Sequence, residues 1–193
     1  MSPIETFFDA LAPSWHEEED DSILLHRKKL IEALPLKEGD KVLDVACGPG
    51  TITALLEEKT KREVLGIDIS GRMIEEARRK ASGNPFLSFR KEDFYETRES
   101  GYDAVVLFDA YPHFLDRGRL KDALLRTLRK GGLFLLLHDQ GRAELRSHPA
   151  HHDPHLSRDL LSPKEEAGFY QGSFDLLLAE ESPHDYRIYL RKK

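Results

Sequence analysis

The stretch Val42-Leu43-Asp44-Val45-Ala46-Cys47-Gly48-Pro49-Gly50-Thr51 decides the fold. The apolar run from Lys41 to Val45 reads as a short buried strand that carries one acid, Asp44, near its end. Cys47 to Gly50 form a turn of small residues, and Thr51 to about Glu58 reads as a helix with Ile52, Leu55 and Leu56 inward. Strand, glycine-containing turn and helix make the opening unit of an open α/β sheet. Such sheets bind ligands outside the carboxyl ends of their strands, where small residues allow close approach to the backbone.

The same alternation continues downstream. Glu63 to Ile67 is a second strand, and Ser70 can cap the helix after it, whose inward face is Met73, Ile74, Ala77 and Ala81. Gly83 and Pro85 stop that helix. Phe86 to Phe89 and Ala104 to Phe108 are further strands. Arg117 to Leu128 is a helix, ended by Lys130-Gly131-Gly132, and Leu133 to His138 is a fifth strand. Strands alternating with helices predict a mostly parallel sheet with helices on both faces. Phe174 to Ala179 and Tyr186 to Leu190 are separated by a short link around Pro183, which forces antiparallel pairing. The expected organisation is a single domain over 1–193. It has a helical leader over 1–35, a cofactor-binding core over 36–139 and a His-rich segment with a C-terminal hairpin over 140–193.

The chemistry of the turn narrows the ligand. A dinucleotide fingerprint needs a third glycine where this chain has Thr53. A carboxylate beside the turn repels a pyrophosphate but suits a cationic ligand without phosphates, and S-adenosylmethionine carries an ammonium and a sulfonium. Gly66-Ile67-Asp68-Ile69-Ser70 puts an acid after the second strand, where Asp68 can accept from both ribose hydroxyls. NAD enzymes use an acid in the same way, so Asp68 alone does not discriminate. Glu92-Asp93-Phe94 follows the third strand. Asp93 can accept from an adenine amino group while Phe94 or Ile69 covers the ring.

With these motifs in order, residues 41 to 139 resemble the core of class I S-adenosylmethionine-dependent methyltransferases, whose first motif commonly reads Asp-x-Gly-x-Gly-x-Gly. Here Ala46 stands at the first glycine. Met73 matches the methionine often found after the ribose acid, Tyr102-Asp103-Ala104-Val105-Val106 resembles the fourth-strand motif, and Leu128-Arg129-Lys130-Gly131-Gly132 resembles the turn before the fifth strand. Phe7 to Trp15 is similar to the lid sequence of many small-molecule members. The resemblance implies a seven-stranded Rossmann-like sheet with an antiparallel C-terminal strand and a helical N-terminal cap. It implies S-adenosyl-L-methionine as cofactor and S-adenosyl-L-homocysteine as product. The cofactor contacts it implies are Asp44, Ala46, Cys47, Gly48, Gly50, Asp68, Ile69, Met73, Asp93, Phe94, Phe108 and Trp15. The acceptor would be a small molecule, methylated at oxygen, nitrogen or sulfur.

Candidate acid–base groups lie where strand ends meet the pocket: Asp109-Ala110-Tyr111-Pro112-His113 after the fourth strand and His138-Asp139 after the fifth. Tyr111, His113 and His138 are the candidate catalytic residues. His138, His148, His151, His152 and His155 are five of the nine histidines. They offer ligands for a divalent metal, or substrate contacts, although their spacing matches no standard metal pattern. The net charge of −6 argues against a broad nucleic-acid-binding face. The lone cysteine, Cys47, excludes an intrachain disulfide. The longest apolar runs are too short to span a bilayer and the N-terminus lacks a secretory pattern, so a cytoplasmic location is expected. Two other readings compete: a non-catalytic protein that senses S-adenosylmethionine or metal, and an NAD-dependent oxidoreductase, which Asp44 and Thr53 weaken.

Overall fold

A computed structural model describes residues 2–18, 20–147 and 153–193. The strands form a seven-stranded sheet in the order β3-β2-β1-β4-β5-β7-β6. They are β1 (Val42–Val45), β2 (Val64–Asp68), β3 (Leu87–Lys91), β4 (Tyr102–Phe108), β5 (Leu128–His138), β6 (Phe174–Ser182) and β7 (Asp185–Lys192). The chain divides into two compact units, Met1–Phe94 and Tyr95–Lys193.

In the first unit, β1 pairs with β2 and β2 with β3, all parallel. The leader forms α1 (Pro3–Leu11), a 3-10 turn over Ala12–Glu18 and α2 (Asp21–Glu32). α1 opens with a capping box between Ser2 and Glu5, and Asp20 caps α2 through the amides of Ser22 and Ile23. α3 (Thr51–Thr60) and α4 (Gly71–Lys80) pack along the strands, and Ser70 caps α4 through the Met73 amide, as its sequence position predicts. Glycines make room at the motif. A Cβ on Gly66 would lie 2.8 Å from the Phe89 ring and 2.9 Å from Cys47 Sγ, and one on Gly50 would lie 2.8 Å from Phe89. Cys47 packs into this tight spot with Ile74, Ala77 and Phe89.

In the second unit β4 and β5 are parallel, β7 is antiparallel to β5, and β6 is antiparallel to β7. α5 (Arg117–Thr127) buries Leu120, Ala123, Leu124 and Thr127. α6 (Arg142–Ser147) and α7 (Pro163–Gly168) follow, the latter opened by a Ser162–Glu165 capping box. Lys130-Gly131-Gly132 does not end the helix. The chain is already extended at Leu128, and these residues form a bulge within β5. Tyr102 pairs with Leu128 while Ala104 pairs with Leu133, and Gly131 takes φ +74°. Gly132 fits because a Cβ there would sit 3.0 Å from the Arg129 and Tyr102 carbonyl oxygens.

Candidate active site

In the first unit the turn after β1 winds through the left-handed region, with φ +56° at Ala46, +52° at Gly48 and +85° at Gly50. The one departure from the family's glycine pattern thus falls on a residue whose backbone favours glycine. Asp44 is buried, and its Oδ2 accepts a 2.6 Å hydrogen bond from the Thr53 hydroxyl. Thr53, read in the sequence as a missing glycine, is the residue that aims Asp44. Asp68 ends β2, and its carboxylate accepts from the Gly48 amide (2.9 Å) and the Ser70 amide (2.8 Å). The glycine turn and Asp68 are therefore tied directly together.

Neither acid is ion-paired among the described residues. Burial pushes the Asp44 carboxyl up to about 7; the Thr53 bond lowers it, and the Asp68 charge adds to the rise. Burial likewise raises Asp68 to about 6 against the Ser70 and Gly48 hydrogen bonds. The Cys47 thiol is held well above its ordinary range by burial and by the Asp44 and Asp68 charges, so it is a packing residue with no nucleophilic character near neutral pH. Asp93 lies just beyond Glu92, whose amide donates to the Asp68 carbonyl, so the two acids stand at neighbouring strand ends. Phe94 and Met73 are buried, and Ile69 is half-buried. Trp15 is half-buried, with its ring 6.1 Å from that of Phe8, which stacks edge-on to Phe7.

The uncharged turn after β1 and two buried acids without an ion-pair partner among the described residues fit S-adenosylmethionine. Asp44 can hold an ammonium, Asp68 can hold ribose hydroxyls, and the glycines leave the backbone accessible. A phosphate-bearing dinucleotide would bring its pyrophosphate against the Asp44 charge.

In the second unit, Asp109 follows β4 with φ +53°, a strained value for a residue with a side chain. Its amide donates to the Leu137 carbonyl at 2.9 Å, and its Oδ1 accepts from the Asp139 amide at 3.0 Å. His138 is fully buried, with Nδ1 3.5 Å from Asp109 Oδ1 and its ring edge-on to Tyr186. Phe108 is buried at the end of β4. Tyr111 is also buried. Its hydroxyl donates to Glu166 Oε2 at 2.8 Å and lies 3.1 Å from the Tyr170 hydroxyl, with the Arg158 guanidinium over its ring. Burial, then the charges of its neighbours, drive the Tyr111 pKa far above the ordinary tyrosine value. His113 Nδ1 sits 2.8 Å from the Leu156 carbonyl.

Glu166 is the centre that sequence reasoning missed. Arg158, Arg117, Tyr111 and the Leu161 amide all donate to its carboxylate. Nothing in the local sequence marks it apart from its place in a short capped helix.

Of the histidine cluster, His148, His151 and His152 lie outside the described residues. His155 is exposed, and His138 is inside the sheet. Among the described residues, no three ligand-type side chains are grouped to hold a metal. No helix of the described residues is long and apolar enough to cross a membrane.

Residues 42–132 match the family model of the methyltransferase domain. Over 118 residues, 58% of the chain, it is 33% identical to a sterol 24-C-methyltransferase of Aspergillus fumigatus, covering 31% of that protein. Over 114 residues it is 29% identical to a demethylmenaquinone methyltransferase of Thermotoga maritima, covering 48% of it. The chain therefore spans less than half the length of either relative. A solved S-adenosylmethionine-dependent methyltransferase from Aquifex aeolicus shares the fold with a TM-score of 0.76 at 17% identity, over 94% of this chain and 98% of that one. With its glycine turn, its two buried acids and its strand order, the chain carries a class I, Rossmann-like S-adenosylmethionine-dependent methyltransferase domain.

Proposed function

We propose that residues 1–193 act as one catalytic domain that transfers the methyl group of S-adenosylmethionine to an oxygen, nitrogen or sulfur of a small molecule. The observation that carries this reading is the pair of buried carboxylates, Asp44 bonded to the Thr53 hydroxyl and Asp68 to the Gly48 and Ser70 amides, with no cation on either among the described residues. A ligand with a positive charge and donor hydroxyls compensates both. Bound there, S-adenosylmethionine supplies a methyl group already activated on a sulfonium. The protein's own share is to align the nucleophile, keep water out and take a proton.

For the proton we assign Asp109 rather than Tyr111. The Tyr111 hydroxyl is committed to Glu166 and is too weakly acidic to exchange protons near neutral pH. Asp109 is partly open, and its strained backbone is fixed by both strand ends. His138 stands directly behind it, with Nδ1 3.5 Å from Asp109 Oδ1. Tyr111 and His113 then hold the turn after β4 in place. The sterol and the quinone precursor named for the two relatives are small molecules, which supports that class of acceptor.

Titration with S-adenosylhomocysteine tests the site. The wild type should bind it and ignore NADH, and Asp68→Ala should lose at least about tenfold in affinity while keeping its fold. Tighter binding of NADH, or unchanged affinity in the variant, rejects the assignment. Label from methyl-tritiated cofactor should then enter the small-molecule fraction of a cell extract, not protein or RNA, and should vanish with Asp109→Asn. A carbon-bound methyl, as the sterol relative's name states for that protein, is distinguished by identifying the labelled product.

A further inference from the structure

Polar anchors tie the leader to the strand ends of its own unit. Asp9, near the end of α1, places Oδ1 2.5 Å from the Ser70 hydroxyl and 3.1 Å from the Arg72 amide. The Asp9 carbonyl also accepts from the Arg72 guanidinium at 3.4 Å. A second anchor joins Glu5 to Lys91 at 2.6 Å. Ser70 is fully buried and has three tasks. Its hydroxyl donates to Asp9, the same oxygen accepts from the Met73 amide, and its own amide donates to Asp68 Oδ1. One residue therefore stands between a leader carboxylate and the ribose acid, with both bonds set by its own few torsions.

Resting on the cofactor reading above, we infer that Asp9 is a positioning residue for the cofactor site. It fixes Ser70, Ser70 aims Asp68, and docking of α1 and cofactor binding therefore strengthen each other. Asp9 divides the capping of α4 with Ser70. Asp9 satisfies the Arg72 amide and Ser70 the Met73 amide, two of the donors a helix start leaves open. A carboxylate there is also favoured by the helix dipole. Without Asp9, the Ser70 hydroxyl keeps its acceptor role but loses the partner that sets its rotamer, and the Asp68–Ser70 turn loosens.

An opposing effect has to be weighed. The Asp9 charge repels Asp68 and contributes to the rise of its carboxyl to about 6. Near neutral pH Asp68 is already mostly ionised at that value, so removing the repulsion gains little. The lost hydrogen-bonded order dominates. Coupling between two linked sites is typically 5- to 150-fold, and the lower end suits a contact one residue removed from the ligand.

The experiment is a double-mutant cycle on the full chain, read by calorimetry with S-adenosylhomocysteine. Asp9→Ala and Ser70→Ala should each weaken binding about fivefold or more, and the double variant should bind no worse than the weaker single variant. The isosteric Asp9→Asn should fall between the wild type and Asp9→Ala. Amide exchange in α1 should slow when S-adenosylhomocysteine is added to the wild type, and should be indifferent to it in Asp9→Ala. Losses that multiply in the double variant overturn the inference. So does a lowered Tm with unchanged affinity, or ligand protection of α1 that survives Asp9→Ala. If the wild type itself fails to bind S-adenosylhomocysteine, the cofactor assignment fails instead, and the two failures are told apart.

Discussion

Asp44 and Asp68 in the first unit and Glu166 in the second are all carboxylates removed from water, yet they settle on opposite sides of the ordinary range. Burial lifts Asp44 to about 7 and Asp68 to about 6, because hydroxyl and amide donors only partly replace water. Burial pushes Glu166 up too, but the hydrogen bond and charge of Arg158, with the Leu161 amide and Tyr111, outweigh it and hold the carboxyl below its usual value. The difference lies in where the cation comes from. Glu166 carries its counter-ions within the protein and is a structural centre. Asp44 and Asp68 have none among the described residues, and on the proposed reading a cationic ligand would complete the site at a standing cost to the empty protein.

The comparison breaks most visibly at Glu166. Glu166→Gln strands Arg158 and Arg117 around a neutral amide, and we expect a loss of about 3 kcal/mol in unfolding free energy by urea denaturation, with a matching fall in Tm. Because the native carboxyl titrates below its unfolded value, this stability is present above the unfolded carboxyl range and is lost as pH falls through the native value. The gap between variant and wild type should therefore narrow in acid. A variant as stable as the wild type at neutral pH would show that the arginines do not depend on Glu166.

Asp44→Asn sharpens the contrast by having the opposite sign. A raised native pKa means that the stability from Asp44 is complete below the ordinary carboxyl value and is lost as pH rises through about 7. The amide keeps an acceptor for Thr53 and carries no charge, so the ligand-free variant should gain about 1 kcal/mol above neutral pH, a gain that disappears in mild acid. Its affinity for S-adenosylhomocysteine should drop about tenfold, since a charge-assisted bond to the ammonium is lost. In the wild type that affinity should rise with pH and level off above about 7. An ion-paired Asp44 would give the reverse: lower stability and no pH-dependent gain.

The smallest effect belongs to the turn between the acids. Ala46→Gly relieves a left-handed alanine but adds freedom to the unfolded chain, and these two contributions nearly cancel. We expect a gain below about 1 kcal/mol and unchanged cofactor affinity. A clear loss of stability would mean that the Ala46 methyl group makes a packing contact worth more than the strain.

What could be read in the sequence follows from the range of the interactions. The turn from Asp44 to Thr51 and the Ser70 cap are local, and local chemistry writes them into neighbouring residues. The strand alternation follows from runs of buried apolar side chains. The Thr53–Asp44 bond spans nine residues, Asp9–Ser70 spans 61 and Tyr111–Glu166 spans 55. None of these has a signature, since Thr, Asp and Glu at those places also suit a helix surface or a cap. Thr53 was visible only as a departure from a glycine pattern, and its reason is the carboxylate it orients. Tyr111 was legible as a residue near the acceptor side, but its partners, which decide what its hydroxyl can do, were not. His138 stood at the right strand end, while its face of the strand depended on register.

That register is set far from the chemistry. The bulge around Gly131 takes up surplus chain at the start of β5, so that from Ala104–Leu133 to Phe108–Leu137 the two strands run in step. Strand side chains alternate, so the bulge acts as a phase adjuster. Removing a single residue between Arg129 and Gly131 would shift β5 by half a period, exchange the faces of His138 and Asp139, and part the imidazole from Asp109 with every residue of the site still present. The glycines of this bulge thus govern the timing of a strand whose buried histidine, His138, lies a full half-strand further on.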